Sequence, residues 1–86
     1  MKIVKISAIW CGACLKTNKS WSQLKKNYSF ESVELDYDID EEEALLYQPG
    51  NILPVFVFLK DNQEVGRLIG EVSYQDLEKK YLEVSE

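Results

Sequence analysis

The sequence predicts one α/β domain in which a mixed four-stranded sheet carries helices on both faces. Apolar, β-branched runs alternate with segments of helical periodicity, and the order of these segments is β-α-β-α-β-β-α. A helix between the first two strands makes them parallel, and a short polar turn makes the last two antiparallel. With 86 residues the chain has the size of one domain, assigned to 1–86.

The first half of the chain supplies two predicted strands and the helix between them. An apolar run over 2–8 predicts the first strand, and the second is expected over 30–37, where apolar and acidic residues alternate. Residues 11–28 follow a helical period. The apolar face of this helix consists of Cys14, Trp21, Leu24 and Tyr28. Trp21 is therefore a predicted core residue.

A short helix is expected after the second strand. Asp40 is its predicted N-cap, and Glu43 at the third helical position completes a capping box. The apolar side of the helix is expected at Ala44, Leu45, Leu46 and Tyr47. Pro49 and Gly50 end it.

The last third of the chain predicts a hairpin followed by a helix. The continuous apolar run over 55–59 is typical of a strand covered on both faces, and residues 64–69 return antiparallel after a polar turn. Ser73 is the predicted N-cap of the final helix. The buried stripe of that helix is expected at Tyr74, Leu77, Tyr81 and Val84.

Composition argues against several classes of function. The net charge of −5, from 15 acidic and 10 basic residues, disfavours a nucleic-acid or anionic-membrane surface, because phosphate binding needs clustered Lys or Arg. The longest apolar run, 52–59, is too short to cross a bilayer. Lys5 interrupts the N-terminal apolar run, and the cysteine pair follows at once, which leaves no room for a signal-peptide cleavage site. We therefore expect a cytoplasmic protein.

Cys11 and Cys14, the two cysteines of the chain, are separated by two residues. This spacing fits a disulfide staple, part of a metal site or a redox centre. A disulfide that closes so short a loop stabilises the fold by only about 2 kcal/mol. A zinc or iron–sulfur site would need ligands from two chains, because the sequence has no histidine and no third cysteine.

The redox interpretation fits the local structure best. The cysteine pair follows a strand and opens a helix, where backbone N–H groups and the helix dipole stabilise the thiolate of Cys11. Cys14 lies one turn further along and is expected to be more covered, and Gly12 gives the turn room to close. An exposed, activated Cys11 beside a sheltered Cys14 suits thiol–disulfide exchange.

The segment Trp10-Cys11-Gly12-Ala13-Cys14 resembles the thioredoxin active site, which reads Trp-Cys-Gly-Pro-Cys. The likeness continues through residues 47–54, which end in Pro54, through the hairpin, and to Gly70 after the last strand. The resemblance covers nearly the whole chain. It implies a minimal thioredoxin-like fold that needs no bound cofactor or metal.

The resemblance also implies a mechanism and a substrate surface. Cys11 would attack a disulfide in a protein substrate, and Cys14 would resolve the mixed disulfide. A thioredoxin-reductase-like protein or another dithiol donor would then reduce the pair. Pro54 should be cis, and the backbone of Leu53 should pair with an extended substrate strand. The remaining substrate-binding residues would be Trp10, Gly12, Ala13 and Gly70. We expect the protein to act as a monomer.

Several features depart from the family pattern. Ala13 replaces the family's proline, which leaves the reduction potential and the direction of electron flow open. Val55 follows Pro54 where thioredoxins usually have threonine. The family's N-terminal strand and helix have no counterpart before Lys2, and the glutathione-binding motifs of glutaredoxins are absent.

Two charged positions near the cysteines are exchanged relative to the family. Lys5 stands where thioredoxins bury an aspartate, and Glu34 stands where they often have a lysine. An unpaired buried lysine would be costly. We therefore hypothesise a Lys5–Glu34 pair beneath the cysteines, in which Glu34 handles the proton of Cys14. The alternative is that Lys5 reaches solvent and Glu34 lies on a wet face.

Two other functions stay open from the sequence. In one, a dimer holds zinc or an iron–sulfur cluster between two pairs of Cys11 and Cys14. In the other, the domain is an adaptor that keeps the fold and binds peptides without turnover.

Overall fold

The computed structural model describes residues 1–85. These residues fold around a four-stranded sheet. Its strands are β1 (Lys2–Ser7), β2 (Glu31–Asp36), β3 (Val55–Lys60) and β4 (Gln63–Ile69). The helices are α1 (Gly12–Asn27), α2 (Glu41–Leu45) and α3 (Tyr74–Val84). The strand order is β2-β1-β3-β4, with β1 and β2 parallel and the other neighbouring pairs antiparallel. The predicted fold class is confirmed.

One face of the sheet carries α1 and α3. Trp21 is 2% exposed and its ring lies 5.5 Å from that of Phe56 on β3, so its prediction as a core residue is confirmed. Leu77 and Tyr81 of α3 are buried against the same cluster. The Ser73 Oγ accepts a hydrogen bond from the Asp76 N–H at 3.1 Å, which is the predicted N-cap.

The opposite face is covered by the five-residue helix α2, and two predictions for this helix are wrong. Asp40 makes no side-chain cap, because its Oδ2 accepts a hydrogen bond from the Asp36 N–H at 2.8 Å instead. Leu45 and Leu46 are 55% and 78% exposed, and Ala44 is the residue of α2 that is buried. A helix of little more than one turn presents a single position squarely to the sheet.

The hairpin turn between β3 and β4 places Asp61 and Asn62 at φ values of 54° and 64°. Two consecutive residues with positive φ are the geometry of a two-residue hairpin loop, and both residue types tolerate it. The turn was predicted at this position. Beyond the turn the register shifts by one residue between Phe58 and Leu59, and this shift places Arg67 of β4 opposite Val57 of β3.

Candidate active site

The cysteine pair lies where β1 ends and α1 begins. Cys11 is the N-cap residue of α1, and its Sγ accepts a hydrogen bond from the Cys14 N–H at 3.2 Å. Both cysteines are free thiols in this structure. The sulfur of Cys11 thus occupies the position of an N-cap oxygen, where a negative charge is stabilised by the first N–H groups of a helix.

The loop that directly precedes β3 reaches the same sulfur. The Cys11 Sγ–H donates to the Leu53 carbonyl oxygen at 3.5 Å, and the peptide bond between Leu53 and Pro54 is cis. The Gly70 N–H donates to the Pro54 carbonyl at 2.8 Å. Four of the residues singled out from the sequence, Cys11, Leu53, Pro54 and Gly70, therefore come together at one end of the sheet.

Two expectations about the cysteine loop are wrong. Cys11 is 8% exposed, hardly more than Cys14 at 3%, because Leu53 and Ala8 pack into one cluster with it. Gly12 is not needed for the turn to close, since a Cβ added there would meet no heavy atom within 4 Å. Instead, Gly12 leaves the surface beside Cys11 open.

Trp10 forms an exposed apolar rim beside the cysteines. Its side chain is 64% exposed, and its Nε1–H donates to Asp38 Oδ2 at 2.6 Å. The ring meets Tyr37 edge to face at 6.4 Å between centroids. Ile9 and Ile52 are also exposed. Ala13 is half-buried against the core, whereas Leu53, Pro54 and Gly70 are buried, so Trp10 and Gly12 supply most of the exposed surface among the residues proposed for substrate binding.

Lys5 lies behind the cysteines in a buried polar setting. The Lys5 Nζ donates to Asn18 Oδ1 and lies 3.9 Å from Glu34 Oε1. The Lys5 side chain is 5% exposed, whereas that of Glu34 is 51% exposed and also contacts Lys25 Nζ at 3.2 Å. The hypothesised neighbours are thus within ion-pair distance, at the boundary between core and solvent.

A cavity of about 500 Å³ connects these charged groups with the second cysteine. Its walls include Lys5, Cys14, Asn18, Trp21, Lys25 and Glu34. Within residues 1–85, the Trp21 Nε1–H is buried and has no hydrogen-bond acceptor. Cys14 therefore shares its cavity with charged and polar side chains.

The environment shifts the pKa values of two groups in this cavity. Burial raises the pKa of the Cys14 thiol to about 11, and the side-chain hydrogen bond with Cys11 adds to this rise. The Ala8 backbone and the Lys5 charge oppose it. Burial lowers the pKa of Lys5, while the nearby Glu34 carboxylate opposes that change. Cys14 is accordingly held as a thiol at neutral pH and must lose a proton before it can attack.

Three residues near the site were missed from the sequence. Asn18 follows Cys14 by four positions, so helical spacing could have placed it on the same face of α1. The other two residues are Asp38, which contacts Trp10, and Arg67, which contacts Tyr47. Both contacts join segments far apart in the chain, so no local sequence pattern predicts them.

Two other kinds of site are not found in the part of the chain that the structure describes. No three His, Cys, Asp or Glu side chains come together there as a metal-binding group. None of its helices combines the length and the apolar composition that crossing a bilayer requires.

Comparison with known proteins gives consistent matches. The profile of the Thioredoxin family matches residues 1–83. Thioredoxin H5 of Oryza sativa subsp. japonica is 32% identical over 80 residues, covering 92% of this chain and 58% of that protein. Thioredoxin Asp f 29 of Aspergillus fumigatus is 31% identical over 70 residues, covering 79% and 64%. The chain thus spans about three fifths of the length of these relatives.

Solved structures agree with the sequence matches. The structure of Fasciola hepatica thioredoxin has a TM-score of 0.86 at 31% identity, covering 95% of this chain and 78% of that one. Thioredoxin NaTrxh from Nicotiana alata has a TM-score of 0.87 at 29% identity, covering 95% and 70%.

Proposed function

The chain belongs to the thioredoxin family, and we propose that it is a thiol–disulfide oxidoreductase that reduces disulfides in proteins. The observation that carries the proposal is the arrangement around Cys11. Its sulfur caps α1 by accepting from the Cys14 N–H, and it lies 3.5 Å from the Leu53 carbonyl next to a cis proline. An anion-stabilising helix start and the backbone carbonyl before a cis proline meet at one nucleophile.

The proposed reaction has two exchange steps. The thiolate of Cys11 attacks one sulfur of the substrate disulfide, that disulfide breaks, and the leaving thiolate takes up a proton. Cys14 then gives up its proton and attacks the Cys11 sulfur of the mixed disulfide, which releases the second substrate thiol. Two electrons have passed to the substrate, and a dithiol donor such as a thioredoxin-reductase-like protein returns them to the oxidised pair.

Substrate binding would use the backbone of Leu53. An extended substrate segment would pair with this residue by strand addition, which supplies affinity without selecting a sequence. Trp10, Gly12 and Gly70 would line the approach, and Trp10 is held in place by Asp38. The accessible surface beside Gly12 supports an approach from that side.

We propose that the charged groups of the cavity assist the loss of the proton from Cys14. The Lys5 ammonium would stabilise the thiolate of Cys14, and Glu34 at the solvent boundary would pass the proton onward. The 3.9 Å contact between Lys5 and Glu34 and their shared cavity with Cys14 support this assignment. A reducing compartment such as the cytosol fits the proposal, because a dithiol persists there.

The decisive experiment is a trapping test with two single variants. Cys14→Ser should accumulate a mixed disulfide with a protein substrate such as insulin, detected by mass spectrometry and reversed by dithiothreitol. Cys11→Ser, the matched control, should form no adduct because it lacks the nucleophile. Wild type should reduce insulin with dithiothreitol as donor.

Other outcomes would contradict the proposal. Equal partner binding by wild type and by a variant lacking both thiols, without any turnover, would support the adaptor alternative. A purified dimer whose thiols stay masked until zinc or iron is removed would support the shared metal site.

A further inference from the structure

Arg67 in β4 makes an unusual set of contacts on the sheet face that α2 covers. Its Nη2 donates to the Tyr47 carbonyl at 2.8 Å, and its Nη1 donates to the Gln48 carbonyl at 3.2 Å. The same guanidinium forms a bidentate pair with Glu64, with bonds of 2.6 and 2.7 Å. One side chain therefore joins β4 to the chain segment that leaves α2.

The carbonyls that Arg67 binds lie just beyond the end of α2. The last carbonyls of α2 accept from the backbone amides of residues 46–48, which leaves the Tyr47 and Gln48 carbonyls as the next acceptors along the chain. No basic residue lies in the last turn of α2. The two leucines that end α2 are exposed, so burial attaches this helix mainly through Ala44. Arg67 supplies donors to the Tyr47 and Gln48 carbonyls and a positive charge just beyond the end of α2.

The segment held by Arg67 leads directly to the proposed substrate-binding residues. We call residues 47–54 the substrate loop. At its far end, the Pro54 carbonyl accepts from the Gly70 N–H at 2.8 Å, and the Leu53 carbonyl lies 3.5 Å from Cys11 Sγ. At its near end, Arg67 holds the first two carbonyls. The loop is thus fixed at both ends, and Arg67 provides the side-chain contacts at one of them.

We infer that Arg67 is a positioning residue for the substrate loop, which it holds so that Leu53 can pair with an incoming substrate strand beside Cys11. The inference rests on the proposed function for its catalytic consequence. Arg67 touches neither cysteine, so its effect should appear in substrate binding and not in the thiol chemistry.

The shape of the guanidinium is central to this role. Its planar fork donates to two carbonyls and one carboxylate at once, with Glu64 fixing its orientation. A lysine ammonium at the same position would keep the charge but could not reproduce four donor directions from one plane. Arg67→Lys should therefore behave as a partial loss and not as a neutral exchange.

The kinetic test compares Arg67→Gln and Arg67→Lys with wild type. Arg67→Gln should raise KM for insulin by about tenfold and change kcat less than about twofold, since binding alone is weakened. Arg67→Lys should give an intermediate rise. Reaction with a small aromatic disulfide, which needs no strand pairing, should be nearly unchanged. Lys80→Gln is the control, because it removes another partly exposed cation, paired with Glu83 on α3, away from the loop.

Hydrogen exchange gives a second readout that does not depend on activity. The Tyr47 and Gln48 amides bond to the carbonyls of Ala44 and Leu45 at 3.0 and 3.1 Å. In Arg67→Gln their exchange should become faster by about tenfold, as for a local opening, while amides of β1 keep the wild-type rate.

Two results would overturn the inference. One is unchanged KM and unchanged exchange of the loop amides in a folded Arg67→Gln protein. The other is a parallel loss of activity toward insulin and the small disulfide with faster exchange throughout the sheet, which would assign Arg67 a general structural role. If wild type reduces no disulfide at all, the proposed function fails, and the exchange experiment still decides whether Arg67 orders the loop.

Discussion

Replacing Lys5 with methionine should stabilise the fold while it slows the second step of the proposed reaction. Lys5 is 4% exposed, and its ammonium has two neighbours, Asn18 and Glu34. Methionine matches the length of the lysine stem and has no charge. The substitution therefore separates the effect of the buried charge on folding stability from its effect on the reactivity of Cys14.

The expected gain in stability follows from the partners that remain. Glu34 keeps its 3.2 Å contact with Lys25 and is half exposed, so no buried charge is left unpaired. Apolar replacements of buried ion pairs are neutral or stabilising by about 1–4 kcal/mol. Because Glu34 is partly solvated, we expect the low end, about 1 kcal/mol, which corresponds to a Tm rise of about 4–8 °C in a domain of this size.

The stability gain should depend on pH in a definite direction. The folded state lowers the pKa of Lys5, so between that value and 10.5 the unfolded chain binds more protons at this site. Wild-type stability at this site therefore increases as pH rises toward 10.5. The advantage of Lys5→Met should accordingly be largest near neutral pH and shrink in alkaline solution.

The expected kinetic loss comes from Cys14. Its pKa of about 11 is opposed by Lys5, so removing the ammonium should raise that pKa further. Each unit of such a rise lowers the thiolate fraction at neutral pH tenfold. We expect the resolving step to slow by about three- to tenfold, while the attack by Cys11 keeps its rate.

The assay combines urea unfolding with stopped-flow kinetics of the mixed disulfide. Lys2→Met is the matched control, since Lys2 lies on the same strand, is 31% exposed and pairs with Glu31 at 3.9 Å. A loss of stability in Lys5→Met, or a resolving step as fast as that of wild type, would refute the reasoning about the buried charge.

Three further predictions concern the same site. The rate of the resolving step in wild type should keep rising up to about pH 9, because the pKa of Cys14 is about 11; a plateau below about pH 8 would contradict this. Glu34→Gln should slow release from the mixed disulfide by several-fold, and unchanged kinetics between about pH 6 and pH 9 would exclude a role for Glu34 in proton handling. Asp38→Asn should weaken the hold on the Trp10 indole and raise KM for insulin by about threefold at unchanged kcat, measured beside Asp76→Asn as a remote control.

The order of strands and helices could be predicted because hydrophobic periodicity is local. The caps show where local reasoning stops. Ser73 caps α3 as predicted, and its hydroxyl accepts from the Asp76 N–H. Asp40 makes no side-chain cap because its carboxylate accepts a hydrogen bond from the Asp36 N–H instead. The Asp36 carboxylate in turn accepts from the Asp38 and Ile39 amides. In a run of acidic residues, several turns compete for the same backbone donors.

The candidate site was predictable where chemistry is carried by residue type, and not where it depends on distant contacts. Cys11, Cys14 and Pro54 are conspicuous in the sequence. The burial of Cys11 could not be predicted, because Leu53, which covers it, lies 42 positions away in the chain. The role of Arg67 could not be predicted either, since its partners Tyr47 and Gln48 are 20 and 19 positions away. No pattern within a strand indicates that an arginine binds a distant loop.

The two cysteines differ in the kind of group that surrounds them, and this difference has a consequence for the reaction. Besides the Cys14 thiol, the Cys11 sulfur contacts two backbone groups, the Cys14 N–H and the Leu53 carbonyl, which survive most substitutions. Cys14 shares its cavity with the side chains of Lys5 and Glu34. Exchanging these two charges should therefore retune the resolving step and leave the attacking step almost untouched. The double variant Lys5→Asp with Glu34→Lys tests this directly. Its attack rate should match that of wild type while the pH profile of its resolving step shifts, and equal shifts in both steps would show that the cavity acts on the pair as a whole.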